Sequence, residues 1–210
     1  MNKLILTADQ IYAMAYIIDA KYLDYYYISL SNRENDKTLW RSEIKKKLVS
    51  EGVLVEDFSG DTTIPPDIEM LLKPLYFGTK ESSIDILIFG ENEDNLGYRF
   101  HYLDEMITMT RTVDSGLELS SVSMEGIKNI VSELLPSDYS AETKILDVHL
   151  DKDNISRVLV VKNIEKDVSS VTLTLIESEG VVYFEDSDNR ILSISRTDFE
   201  DKLLAIITGD

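Results

Sequence analysis

Cysteine is absent from all 210 residues. That removes disulfides, thiolate nucleophiles and cysteine-ligated zinc or iron–sulfur centres. Histidine is almost as scarce: only His101 and His149 occur, and they have no metal-binding spacing. No serine lies in a Gly-x-Ser-x-Gly elbow, and there is no glycine-rich phosphate loop. No catalytic residue, metal or cofactor is therefore expected. Long apolar runs are missing too, since stretches such as Val158-Leu159-Val160-Val161 fall far short of the ~20 residues that span a bilayer. The start offers only Leu4, Ile5 and Leu6 before polar residues resume, against roughly 7–15 apolar residues in a secretory signal. A cytoplasmic location is expected. Positive charge is in deficit, with 21 Lys plus Arg against 39 Asp plus Glu and a formal charge of −18. That field repels phosphate backbones, so neither nucleic acid nor an anionic membrane is expected as a partner. It favours solubility and, more weakly, basic protein partners.

What is present is a chain that is 43% hydrophobic, enough to bury a sizeable core. Thr7 and Gln10 form a capping box, with Leu6 and Ile11 at the flanking staple positions, so a helix is expected from there. Residues 25–30 are aromatic and β-branched and read as a strand. Trp40, Ile44 and Leu48 recur every four residues in a second helix that Gly52 can end. Pro66 suits the first turn of a helix carrying Ile68, Leu71 and Leu72, with Pro74 as its stop. Ile84, Ile86 and Ile88 alternate as a strand. A meander follows over 98–103, 106–113 and 117–122, with turns at Asn95, Gly97, Ser115 and Gly116. Ser123 caps a helix with Ile127, Ile130, Val131 and Leu134 inward, closed by Pro136. Leu146, Val148 and Leu150 alternate as a strand, with His149 facing outward.

An imperfect repeat organises these elements. Residues 67–89 lie over 154–176 without a gap: Ile68 meets Ile155, Leu71 meets Val158, and Ile84, Ile86 and Ile88 meet Val171, Leu173 and Leu175. Later, Leu119, Val122, Ile127 and Val131 meet Ile191, Ile194, Phe199 and Leu203. By this match residues 154–161 read as a helix. The expected fold is α/β of the α+β kind. A quasi-two-fold repeat builds a central antiparallel sheet flanked by helices, in a single domain over 1–210 with halves near 1–136 and 137–210.

The acidic clusters at Asp151-Lys152-Asp153 and Glu185-Asp186-Ser187-Asp188 do not make calcium loops, because Ile155 and Arg190 occupy the fifth ligand positions. They read as a helix cap and a hairpin turn. His101 reads as a strand side chain, not a base. The segment 90–97 stands apart. It is a polar insertion between two strands, longer than ordinary hairpin connections of ~2–5 residues, while the second copy has only 177–180 there. Insertions in one copy of a repeat often mark a binding face. The candidate protein-binding residues are Glu91, Asn92, Glu93, Asp94, Asn95 and Leu96, the last an apolar side chain in a polar loop.

An opening helix at Leu6-Thr7-Ala8-Asp9-Gln10, a helix ending in Glu51-Gly52-Val53-Leu54, a proline-bounded helix over 68–75, the Ile84–Ile88 strand and a helix stopping at Leu134-Leu135-Pro136 follow one another in this order. The order resembles the EspG proteins, cytosolic substrate chaperones of mycobacterial type VII secretion. It is also similar to their EsaE-like counterparts in low-GC Gram-positive bacteria. The resemblance implies a non-catalytic chaperone or adaptor that keeps a helical secretion substrate soluble and export-competent. The implied partners are the targeting helices of an LXG-type, WXG-type or nuclease-toxin substrate, and the secretion machinery ATPase. It implies a grip by the loop joining the second and third strands, here 90–97. The chain is shorter than the mycobacterial members, chiefly in its second half. A different class of function fits its size and acidity: an immunity protein that neutralises a cognate, basic secreted toxin.

Overall fold

The computed structural model describes residues 3–31, 37–89, 95–135, 139–140, 142–165, 168–186 and 188–208; for 37–40, 95, 164–165 and 168–172 only the backbone is described. The protein is α+β, with a large antiparallel sheet and six α-helices among the described residues. Its Cα positions fall into two compact units, neither continuous in sequence: residues 1–79 with 101–121, and residues 80–100 with 122–210.

The first unit contains strand β1 (Lys3–Leu6), helices α1 (Ala8–Ile17), α2 (Tyr25–Leu30) and α3 (Lys37–Ser50), the short pair β2 (Val55–Glu56) and β3 (Thr62–Thr63), and α4 (Pro66–Phe77). It also holds strands β6 (Met106–Val113) and β7 (Gly116–Ser121), with β7 pairing both β6 and β1 antiparallel. The capping box forms as expected: Gln10 N–H donates to Thr7 Oγ1 at 3.2 Å, and Thr7 N–H donates to Gln10 Oε1 at 2.8 Å. Gly52 closes α3 at φ +73°, a left-handed position that suits glycine. Leu6, Ile11, Met14, Tyr27, Leu48, Leu72, Leu75, Tyr76 and Leu119 share one buried core.

Two expectations fail in this unit. Residues 25–30 form α2, not a strand. Asp24 Oδ1 caps the turn by accepting from Tyr26 N–H at 3.0 Å. Tyr27 is fully buried, its hydroxyl 2.6 Å from His101 Nε2 and 2.7 Å from Thr110 Oγ1. A cap and one deeply buried aromatic outweigh a strand propensity spread over six residues. Pro74 does not stop α4, which continues to Phe77 and buries Pro74, Leu75 and Tyr76. The helix ends at Gly78, whose N–H donates to Pro74 O at 3.0 Å. A Cβ at Gly78 would run into the carbonyl oxygens of Pro74 and Tyr102, so only glycine allows this close approach.

The second unit is a ladder of β4 (Lys80–Ile88), β9 (Ile155–Glu165), β10 (Val168–Ser178), β11 (Val181–Glu185), β12 (Ile191–Ser193) and β8 (Lys144–Ile145), paired in that order. Helices α5 (Met124–Leu134) and α6 (Arg196–Thr208) belong to it. Strand β5 (Asn95–Leu103) carries Phe100 and the residues before it in this unit and His101 onward in the first. Residues 154–161 do not form the expected helix: a single 3-10 turn over Lys152–Asn154 ends at Asn154, and from Ile155 the chain runs as β9, hydrogen-bonded to β4 on one side and β10 on the other. Its β-branched run suits a central strand better than a helix. The gap-free match of 67–89 to 154–176 therefore lays helix α4 over strand β9, although β4 still falls on β10. The later match sets β7 and α5 over β12 and α6, like on like. The expected strand over 146–150 does not form: the strand present, β8, lies just before it, where Lys144 and Ile145 pair with β12, and His149 lies in an exposed irregular stretch. Asp151 and Asp186 behave as local caps, accepting backbone N–H groups from Asp153 and from Asp188 and Arg190.

Candidate functional site

The second unit has two unlike faces, set by alternation along β4. Lys80, Ser82, Ile84, Ile86 and Ile88 point one way; Glu81, Ser83, Asp85, Leu87 and Phe89 point the other. Helices cover the first face. Lys80 Nζ donates to the Thr208 carbonyl, Asn163 Nδ2 to Ile206 O at 3.0 Å, and Arg157 Nη2 to Leu134 O at 2.7 Å. Phe184 meets Phe199 of α6 edge to face at 6.4 Å. Ile84, Leu159, Val161 and Leu175 are consequently sealed.

Neither α5 nor α6 reaches the opposite face. Register lays its residues out in rows: Leu87 lies beside Val158, Val158 beside Ile176, and Ile176 beside Tyr183. The next row runs Asp85, Val160, Thr174, Glu185. Phe89 extends the apolar end, its N–H donating to Ser156 O at 2.9 Å. Leu87 and Phe89 are 37% and 49% exposed, although each is a large apolar side chain on a regular strand or its last bond. The other end of the face is ionic. Arg99 Nη1 meets Glu81 Oε1 at 2.7 Å, with Asp85 3.9 Å from Arg99 and 4.0 Å from Lys162. Ile176, Glu81 and Ser83 are buried, so the face is open chiefly at Leu87 and Phe89, an apolar patch that suits the apolar stripe of an amphipathic partner.

Of the residues expected to bind, Glu91, Asn92, Glu93 and Asp94 lie outside the described residues, as does the side chain of Asn95. They fall in the connection between β4 and β5. Asn95, Leu96 and Gly97 are not loop or turn but the first residues of β5. Leu96 is 42% exposed, and alternation puts it on the side of Phe100, away from Arg99 and the open face. Sequence reasoning missed Leu87, Phe89, Val158, Ile176 and Tyr183. Their signal was present: Ile86-Leu87-Ile88-Phe89 and Val158-Leu159-Val160-Val161 are apolar in both phases, where a strand with one wet face should alternate. Among the described residues no three acidic or histidine side chains converge as metal ligands, and no helix is long and apolar enough to cross a membrane.

No protein-family model matches the chain, and no curated protein matches it in sequence. A solved structure does match it in fold. The type VII secretion system chaperone EspG5 of Mycobacterium tuberculosis, solved in complex with a PE25-PPE41 dimer, is similar over 99% of this chain and 96% of its own, with a TM-score of 0.62 and 7% identity. The fold is shared with a secretion chaperone. At that identity the likeness lies in the arrangement of elements.

Proposed function

We propose that this chain is a chaperone or adaptor for a type VII secretion substrate, holding a helical segment with an apolar stripe on the open face of the second unit. The observation that carries the reading is the near-complete match to EspG5, a chaperone solved with a PE25-PPE41 dimer bound. The exposed Leu87 and Phe89 beside Val158, Ile176 and Tyr183 supply a surface of the right chemistry. A secretion substrate with an apolar-striped helix would aggregate alone, and covering that stripe would keep it soluble. Glu91, Asn92, Glu93 and Asp94, between β4 and β5 in the sequence, and Asn95 and Leu96, which begin β5, belong to the proposal as a second contact. The targeting helices of LXG-type, WXG-type or nuclease-toxin proteins are the proposed ligands, and the machinery ATPase the proposed recipient. The working place proposed is the cytoplasm, with no catalytic step.

Two measurements test this. In pull-downs with truncated substrates from the same cell, the targeting helices should be retained; retention of the toxic domain alone would favour the immunity reading. In titration calorimetry, a single apolar anchor contributes ~1–3 kcal/mol. Leu87→Asp should therefore weaken binding at least about tenfold, or about 1.4 kcal/mol. Leu96→Asp is the matching probe of the connection. If L87D binds as the parent does and L96D does not, the contact lies at the hairpin and not on the open face.

A further inference from the structure

A cavity of about 400 Å³ opens in the first unit, lined by Tyr12 and Tyr16 of α1, Asp19 just past its end, and Tyr22, Leu23 and Ile28 before and within α2. The Tyr12 and Tyr16 rings stand 5.2 Å apart at 73°, and their hydroxyls are 2.9 Å apart. Three sources of negative potential converge here. The tyrosine faces carry the negative lobe of their quadrupole. Helix α1 presents its carbonyl end with no basic residue in its last turn. Asp19, at φ +52° and exposed, adds a carboxylate. The Tyr16 ring already takes a cation from within the chain, since the Arg41 guanidinium carbon sits 3.8 Å from its centroid.

We propose that this pocket receives the guanidinium of an arginine side chain presented by a protein partner. An anion would meet Asp19 and the helix carbonyls. A neutral apolar group would strip water from Asp19 with nothing in return. A planar guanidinium can stack on a tyrosine, as Arg41 does, and donate to Asp19 at the same time, which the compact ammonium of lysine does less well. The net charge of −18 draws basic partners toward the molecule. The inference does not rest on the chaperone reading. The pocket lies in the first unit, the docking face in the second, and they are tested with different ligands.

The test uses the full chain with labelled tyrosine rings, titrated with Nα-acetyl-arginine methylamide and with its neutral isostere, Nα-acetyl-citrulline methylamide. The arginine compound should shift the Tyr16 and Tyr22 resonances with a dissociation constant of about 1 mM. Citrulline should bind at least about fivefold more weakly. Asp19→Asn, which tolerates the left-handed backbone of residue 19, should weaken the arginine compound by about fivefold while leaving the rest of the spectrum unchanged. Equal binding of citrulline, unchanged affinity in D19N, or no tyrosine shift at about 10 mM arginine compound would each overturn the assignment.

Discussion

Glu118 shows how a single charge is held in this protein. It stands on β7 opposite Arg111 of β6 and Ile5 of β1. Its carboxylate lies 3.1 Å from Lys3 Nζ and 3.1 Å from Arg111 Nε, and its side chain is only 10% exposed. Burial by itself would raise the carboxyl, but hydrogen bonds and charge from Lys3 and Arg111 outweigh it and hold Glu118 below the ordinary glutamate range. A lowered folded-state value gives stability that is fully present above the glutamate range and is lost as the pH falls through the folded value. Glu118→Gln should therefore be less stable than the parent near neutrality by about 1 kcal/mol. That corresponds to a fall of about 2–4 °C in melting temperature. The two melting curves should converge as acid protonates the parent. A gap that persists unchanged down to pH values well below the glutamate range would mean that packing, not charge, sets the difference.

At the scale of elements, α2 is six residues long and owes its form to its ends and its anchor. Asp24 supplies the first-turn acceptor, and Tyr27 fixes the helix to β5 and β6 through His101 and Thr110. All three side chains are buried: Tyr27 completely, His101 to 3% and Thr110 to 1% exposure. Tyr27→Phe keeps the ring and takes a shared hydroxyl away from two buried polar groups, which should cost about 1–3 kcal/mol. Tyr26→Phe is the control. Its hydroxyl meets Thr112 Oγ1 at 3.3 Å in an exposed contact, so its loss should change stability by less than about 0.5 kcal/mol. Urea unfolding of the two variants separates these outcomes, and equal losses would show that the buried triad does not hold α2. Helix α4 makes the complementary point. Pro74 removes one helical N–H, yet burial of Pro74, Leu75 and Tyr76 in the unit core carries the helix one turn further.

For the whole molecule, the decisive fact is that each unit is assembled from two separated stretches of chain. Strand β9 pairs with β4 along nine residues, Lys80 to Ile88, and α6 lies beside α5. A fragment of 137–210 would lack β4, β5 and α5, leaving β9 with an open edge and α6 without its neighbour. Fragment 137–210, expressed by itself, should therefore not fold, although fragment 1–136 keeps all of the first unit, whereas the full chain should unfold in one transition. Circular dichroism with dispersed amide spectra decides the matter. Two well-folded fragments would show that the halves suggested by the sequence repeat are independent.

Features that depend on neighbours a few residues apart are legible in the amino-acid order alone. These include the Thr7–Gln10 capping box, the Gly52 end of α3, the Ser123 cap of α5, the β4 alternation and the β6–β7 hairpin; the order of elements also led to the shared fold. Features that depend on distant partners emerge only when the chain folds. Residues 25–30 became a helix because Tyr27 found His101, 74 residues away. Residues 155–165 became a strand because β4 and β10 flank them. The open face was the least legible, since an apolar residue written in both phases of a strand looks the same whether a helix of its own chain covers it or a partner does. Only the placement of α5 and α6 on one side told the two faces apart.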